Sequence, residues 1–303
     1  MRTDLFGRSF RLFGLFDHKY ILEGMGSRYK PNNTIAMKRF RLFLIFAGLT
    51  LFLNCSKDED VQPRPEEQID RSANLLATGA SAGDLLANTN LSNLLIEIAY
   101  VEGFRPTSTA MTNFEQFIRE RTFKENITIQ YKSLPSPGEA TLTLQEVADL
   151  ETANRTAYNE NTTLAIYIYF ADAPSDDDEP EQDLVTLGSV YRNTSMVIYE
   201  RTVRDIANRS SNITVADVEE AVLCHEMGHL SGLVNLGSPM ITPHEDPAAS
   251  NHCDIDGCLM GAEIEFGGGL MGILERRALA GKSQAVPNLD SACLADLQAN
   301  GGR

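Results

Sequence analysis

The chain has 303 residues, of which 26 are Lys or Arg and 42 are Asp or Glu, so its formal net charge is −16 at pH 7. With 43% hydrophobic residues it has the composition of a globular protein able to bury a core, rather than of a fibrous or disordered chain. The acidity argues against nucleic acid as a partner, because phosphate binding depends on Lys and Arg. Its five cysteines are too few for a small disulfide-built fold.

The N-terminal part of the chain differs from the rest in charge. Residues 1–54 hold nine Lys and Arg against three Asp and Glu. Within them, a basic segment at 37–41 precedes a mostly apolar run at 42–53. This run is shorter than the roughly 20 residues that a membrane-spanning helix needs, and it is typical of a secretory signal. We therefore predict a signal peptide over residues 37–54, preceded by an upstream extension over residues 1–36.

The end of this signal carries a cysteine. Residues 51–55, Leu-Phe-Leu-Asn-Cys, resemble a bacterial lipobox, in which the cysteine is lipidated, although Asn54 stands where Gly, Ala or Ser is usual. The largely acidic residues 56–60 resemble the signal of surface-exposed lipoproteins of some Gram-negative bacteria. The resemblance implies a lipid anchor at Cys55 in the outer membrane, with residues 55–72 as a charged tether. Alternatively, Cys55 belongs to an ordinary signal that is cleaved off.

Apolar residues in the stretch 73–120 recur at intervals of three and four. This spacing is that of a helix with one buried face, so we predict that the stretch is helical. The residues concerned are Leu91, Leu94, Leu95, Ile98 and Val101.

The following segments predict alternating helices and strands. We expect a helix over 112–121, a strand over 127–131, and a helix over 144–158 that Thr143 caps. The continuous apolar and aromatic run at 164–170 is typical of a central strand buried on both faces of a sheet.

Two strand-like pieces, 185–190 and 195–199, come next. A helix is then expected over Val215–Leu230, with Thr214 as its N-cap, and a last helix over residues 289–299. Helices alternating with strands in this way predict an α/β fold.

The predicted helix Val215–Leu230 contains the pattern His225-Glu226-x-x-His229. Two histidines four positions apart lie on the same face of a helix, so both imidazoles can bind one metal ion. Neutral imidazole is a preferred ligand of zinc. Glu226 lies beside the metal rather than on it, where it can act as a general base on a water molecule.

Gly232 follows three residues after His229, and a glycine there can adopt the left-handed conformation that ends a helix. With it, the motif resembles the metzincin metallopeptidase signature His-Glu-x-x-His-x-x-Gly-x-x-His. The last position is Asn235, a poor zinc ligand. The resemblance implies a mixed twisted sheet with the active-site helix, over residues 73–232, and a small irregular C-terminal subdomain over 233–303.

Residues 252–260 read His-Cys-Asp-Ile-Asp-Gly-Cys-Leu-Met. This segment resembles the archaemetzincin branch, in which the third histidine is followed by Cys, four residues, Cys, one residue and Met. The resemblance implies that His252 is the third zinc ligand, reached after an insertion. It also implies that Met260 is the methionine of the Met-turn, which packs under the metal without binding it. His244 and the carboxylate of Asp246, both in the inserted loop, are the alternative third ligands.

Archaemetzincins continue with a further Cys-x-x-Cys that helps to hold a second zinc, and this chain lacks that pair. We therefore expect one zinc ion. In an exported protein, Cys253 and Cys258 can instead form a disulfide that stiffens the segment carrying His252. Cys224 and Cys293 either pair with each other or remain as buried free thiols.

We interpret the sequence as that of an exported, monomeric zinc endopeptidase that acts on peptide or protein substrates. In metzincins an edge strand pairs with extended substrate, and the segment 187–196 is expected to form that strand here. One alternative is a surface lipoprotein that binds zinc without peptidase activity, and another is an accessory of nutrient uptake. The presence of Glu226 favours the enzyme, because zinc binding does not require that carboxylate.

Overall fold

A five-stranded sheet lies at the centre of the computed structural model, which describes residues 69–182, 184–281 and 285–303. Its strands are β1 (Asn93–Val101), β2 (Asn126–Leu134), β3 (Thr163–Phe170), β4 (Gly188–Arg192) and β5 (Ser195–Ile198). The order across the sheet is β2-β1-β3-β5-β4. All neighbouring strands are parallel except β4, which lies at the edge and runs antiparallel to β5. This mixed sheet with its helices confirms the predicted α/β class.

Helices cover both faces of the sheet. They are α1 (Ala82–Leu86), α2 (Ser108–Arg121), α3 (Leu144–Asn154), α4 (Glu200–Ala207), α5 (Val215–Leu230), α6 (Ala262–Glu265), α7 (Gly267–Leu279) and α8 (Ser291–Ala299). The larger core contains side chains of α2 and α5 together with one face of β1 and β3. A smaller core on the opposite face contains side chains of α3. The sheet is therefore a buried middle layer.

The central strand confirms the prediction made from residues 164–170. Ile166 and Ile168 of β3 belong to the larger core, whereas Tyr167 and Tyr169 belong to the smaller one. None of these four side chains is more than 1% exposed. Burial on both faces explains why this segment has no polar alternation.

The predicted helix caps are also present. In α3 the side chain of Thr143 accepts a hydrogen bond from the Glu146 amide, and Glu146 returns the contact, forming a capping box. The same arrangement starts α5, which has the predicted bounds. At α8 the carboxylate of Asp290 accepts hydrogen bonds from two backbone amides.

The predicted helix through residues 91–101 is wrong, because this segment forms strand β1. Residues such as Leu94, Ile98 and Val101 do fall at helical intervals, but Ile96 and Ala99 between them are fully buried as well. β1 is paired on both sides, with β2 and with β3. A strand enclosed in this way is apolar nearly throughout, and any helical spacing can be found within such a run.

Three helices of the second half were not expected: α4, α6 and α7. The start of α7 is rich in glycine, which lowers its intrinsic helix propensity. Leu270 and Leu274 of α7 are nevertheless fully buried in the larger core. Tertiary packing thus outweighs local preference here.

The predicted extension and signal peptide, with Cys55 and most of the tether, lie outside the described residues. Among the residues that are described, no helix combines the length and the apolar character needed to cross a membrane.

Candidate metal centre

Helix α5 carries the His-Glu-x-x-His motif through the protein interior. From Val218 to Leu230 all its residues are buried. The helix packs against β4 and α6, and Glu226 and His229 line a cavity beside these elements. The motif residues therefore have fixed surroundings.

Three imidazoles meet at the end of this helix. The Nε2 atoms of His225 and His229 lie 3.1 Å apart. The ring of His252, far along the chain, is centred 5.3 Å from that of His225 and 5.2 Å from that of His229. All three side chains are buried. The structure thus brings together the three histidines that the sequence analysis proposed as ligands.

The hydrogen bonds of two of these rings, His225 and His252, show which nitrogen faces the centre. His225 Nδ1 lies 2.7 Å from the carbonyl oxygen of Leu259, and His252 Nδ1 lies 3.0 Å from that of Ser250. A carbonyl oxygen can only accept, so each of these two Nδ1 atoms carries a proton and each Nε2 atom faces the centre. Fixing a ligand histidine through its other nitrogen is the usual support in metal sites.

The free lone pairs fit a metal ion. His252 Nε2 is buried and has no hydrogen-bond partner among the described residues. Burial lowers the pKa of His225 to about 4, and it also holds the pKa of His229 well below its ordinary value. His225 and His229 are therefore neutral at pH 7, the form that binds zinc. Their Nε2 atoms, 3.1 Å apart, can bind one shared cation.

Glu226 lies next to this group without belonging to it. Its side chain is fully buried, and neither carboxylate oxygen has a hydrogen-bond partner among the described residues. Burial raises the pKa of Glu226 well above its ordinary value, and the charge of Glu265 raises it further. A carboxylate in these surroundings is ready to accept a proton.

The edge strand approaches Glu226 closely because it begins with a glycine. A Cβ atom at Gly188 would lie 2.9 Å from Glu226 Oε1 and 2.6 Å from Val222 Cγ1. A glycine at this position therefore lets β4 pass over the motif helix. A cavity of about 240 Å³ opens here, lined by residues of β4, the motif and the C-terminal segment: Ser189, Val190, Glu226, His229, His252 and Glu265.

Met260 lies under the histidines. It is fully buried, and its sulfur occupies the space that a side chain at Gly228, the residue before His229, would fill. The backbone amide of Cys253 donates to the Met260 carbonyl at 2.8 Å. The residue that follows His252 is therefore joined to the methionine beneath the site.

The chain resembles solved structures of known proteins. No family model matches the chain, and no curated protein matches it. Among solved structures, the chain is similar to archaemetzincin from Methanopyrus kandleri, with a TM-score of 0.44 and 15% sequence identity. The match covers 69% of this chain and 96% of that one.

The alternative third ligands lie elsewhere. His244 Nε2 is 3.5 Å from the sulfur of Cys293 and 3.6 Å from a carboxylate oxygen of Asp296. Asp246 shapes the inserted loop: its amide donates to the His252 carbonyl at 2.8 Å, and its carboxylate accepts from Ala248 at 2.8 Å.

The chain reverses direction after α5. Gly232 has a φ of +78°, and a side chain there would meet Ala82 and Ser238. Asn235, at the position of the metzincin histidine, also has a positive φ, and its amide donates to Glu245 at 3.4 Å. The inserted loop then returns the chain so that His252 reaches the site.

Cys253 and Cys258 lie close together, as a pair would require, whereas Cys293 lies with them rather than with Cys224, so Cys224 and Cys293 are the buried free thiols of the second alternative. Cys224, Cys253, Cys258 and Cys293 are all free thiols in the structure. Cys293 lies 3.7 Å from Cys258, sulfur to sulfur, so it is not placed with Cys224. The reason is that α8 packs against the segment after His252, whereas Cys224 faces α2 and the cavity beside it. Cys253, Cys258, Cys293 and Asp290 form a second group that could hold a metal ion.

Glu265 is the site residue that the sequence analysis missed. Its carboxylate lies with His225, His229 and His252, with all four ligand atoms within 4.8 Å of one another. No motif marks this residue, which ends a four-residue helix in a segment expected to be irregular.

Proposed function

We propose that this protein is a zinc-dependent endopeptidase. The observation that carries the proposal is the convergence of His225, His229 and His252 on one buried point, with the unpaired carboxylate of Glu226 beside them. The combination is that of a metal-assisted hydrolase, because it supplies three imidazole ligands and a separate base. Zinc fits this donor set better than a hard cation such as magnesium, which prefers oxygen ligands.

When bound, zinc supplies a Lewis acid that polarises the peptide carbonyl and acidifies water. The three histidines would hold the ion, and the Nδ1 contacts of His225 and His252 keep those two rings oriented. Glu226 accepts the proton of the attacking water and then donates it to the amine that leaves. Its raised pKa suits both steps, since a base must hold the proton briefly before passing it on.

We further propose that an extended peptide binds along β4. This strand lies at the edge of the sheet, and only β5 pairs with it among the named strands. Ser189 and Val190 of β4 line the same cavity as Glu226 and two of the histidines. Pairing with the strand would place a substrate backbone across the site by β-augmentation, which gives affinity without a strict sequence preference.

Removing the metal tests the enzymatic proposal directly. We expect the zinc-loaded protein to cleave members of a mixed peptide library. Treatment with 1,10-phenanthroline should abolish the cleavage, and added zinc should restore it, because the histidines alone cannot polarise a carbonyl. Mass spectrometry of the products gives the measurement. A protein that binds zinc at the three histidines yet cleaves no peptide would contradict the proposal and favour a zinc-binding lipoprotein.

We also propose that the protein is exported and anchored through Cys55, on the strength of its sequence alone. We expect wild type to incorporate labelled palmitate and to fractionate with the outer membrane, and Cys55→Ser to do neither, because two or more acyl chains are needed for stable anchoring. Ser56→Ala, which keeps the cysteine, is the control. Label retained in Cys55→Ser would rule out this anchor.

A further inference from the structure

Glu265 has an unusual position for a carboxylate that is not part of the motif. Its Oε2 atom lies 2.7 Å from His252 Nε2, and its side chain is only 17% exposed. Together with His225 and His229, it belongs to one group of atoms that could bind a single ion.

The contact with His252 is not that of a supporting carboxylate. Such a group would accept a hydrogen bond from the nitrogen that does not bind metal. Here that nitrogen, Nδ1, already donates to the Ser250 carbonyl. The carboxylate meets Nε2 instead, and yet Nε2 has no hydrogen-bond partner of acceptable geometry among the described residues. The carboxylate and Nε2 are therefore close enough to be ligands of one ion.

The main chain holds Glu265 in this place. The Leu187 amide, just before β4, donates to the Glu265 carbonyl at 2.9 Å. A bridge between Thr186 and Phe266 continues the contact. The backbone of Glu265 is therefore joined to the segment that enters the edge strand.

We propose that Glu265 is a fourth protein ligand of the ion held by His225, His229 and His252. The resting centre is then closed by four side chains, as in structural zinc sites, whereas hydrolytic sites keep one position open. The carboxylate must leave before a substrate carbonyl can bind. This inference rests on the proposed metal centre and adds a closed resting form to it.

The connection to the edge strand suggests how the centre opens. A peptide that pairs with β4 binds next to Leu187, whose amide holds the Glu265 backbone. A substrate that pairs with β4 would therefore contact the same main-chain segment that holds Glu265, and its binding can be coupled to release of the carboxylate. A small ligand that binds only the metal makes no contact with β4. It must displace the carboxylate through its affinity for the metal alone.

The test compares Glu265→Gln with Glu263→Gln, which removes the same charge from an exposed position on α6. Zinc affinity is measured on the full chain by competition with a chromophoric chelator. The visible spectrum of the cobalt-loaded protein reports the coordination number. The affinity of the cobalt-loaded protein for acetohydroxamate, at saturating cobalt, reports access to the open position.

For Glu265→Gln we expect zinc affinity to fall by about 10–100-fold, at least as much as for loss of a group that supports a ligand. Its cobalt spectrum should change, and acetohydroxamate should bind more tightly than to wild type. Glu263→Gln should match wild type in all three measurements.

Unchanged zinc affinity and an unchanged spectrum in Glu265→Gln would overturn the proposal. So would a lower zinc affinity without tighter acetohydroxamate binding, because the carboxylate would then not occupy the open position. His225→Ala separates this failure from a failure of the metal centre. If His225→Ala lowers zinc affinity while Glu265→Gln does not, only the role of Glu265 is wrong. If neither does, the metal centre itself is absent.

Discussion

Glu226→Gln is expected to abolish peptide hydrolysis while zinc remains bound. The carboxylate lies outside the group of ligand atoms, so its loss should not change the metal content. Removal of a general base typically lowers the rate by about 10²–10⁴-fold. The measurements are kcat/KM on a cleaved library peptide and zinc per chain by plasma mass spectrometry.

Glu226→Gln should also fold normally. Glu226 is fully buried, and burial raises its pKa in the folded state. A carboxyl whose pKa is raised on folding binds its proton more tightly in the folded protein. Its contribution therefore makes the protein less stable as pH rises above the unfolded value of about 4.3. The neutral, isosteric Gln avoids this cost, so thermal unfolding at pH 7 should occur at the same temperature or a higher one.

Glu220→Gln is the matched control, because Glu220 lies on α5 but faces Asn113 of α2, away from the cleft. It should keep both zinc and hydrolysis. Hydrolysis by Glu226→Gln within a few-fold of wild type would show that another group acts as the base. Loss of zinc would show that Glu226 has a role in the metal centre that the geometry does not give it.

His252→Ala is expected to remove zinc, whereas His244→Ala is expected to retain it. Without His252 the ion keeps only His225, His229 and the carboxylate of Glu265, and it loses one of the three imidazoles that converge on the site. His244 contacts Cys293 and Asp296 and is absent from the group of histidines. Loss of a group that hydrogen-bonds to a metal ligand typically lowers metal affinity by about 10–100-fold. Because His252→Ala removes a ligand itself, its zinc affinity should fall by more than this.

The comparison also distinguishes the two groups of ligands. Chelator competition on both variants, with zinc counted per chain, gives the result. Zinc kept in His252→Ala and lost in His244→Ala would place the ion with the cysteines around Cys258 and Cys293. That outcome would contradict the proposed active centre, and the peptidase proposal would fail with it.

Local signals in the sequence predicted much of the fold. The capping box at Thr143, the apolar run at residues 164–170 and the bounds of α5 all depend on neighbours within a few positions. The spacing of His225 and His229 is of the same kind, because four residues on a helix determine which side chains share a face. Strand β1 could not be recognised in this way, since its apolar pattern comes from being enclosed between two other strands.

The sequence by itself therefore determined the helix that carries the motif, the two histidines on one face and the carboxylate beside them. The sequence left the third ligand open between His252, His244 and Asp246, and the tertiary structure decided which distant groups join the motif. In the folded protein His252 lies with the two helix histidines, whereas His244 lies next to Cys293. Cys293 in turn lies next to Cys258, and Glu265, which no sequence pattern marks, lies with the histidines. The physical reason is that a helix repeats its geometry along the chain, whereas contacts between distant segments depend on how loops return and how surfaces pack.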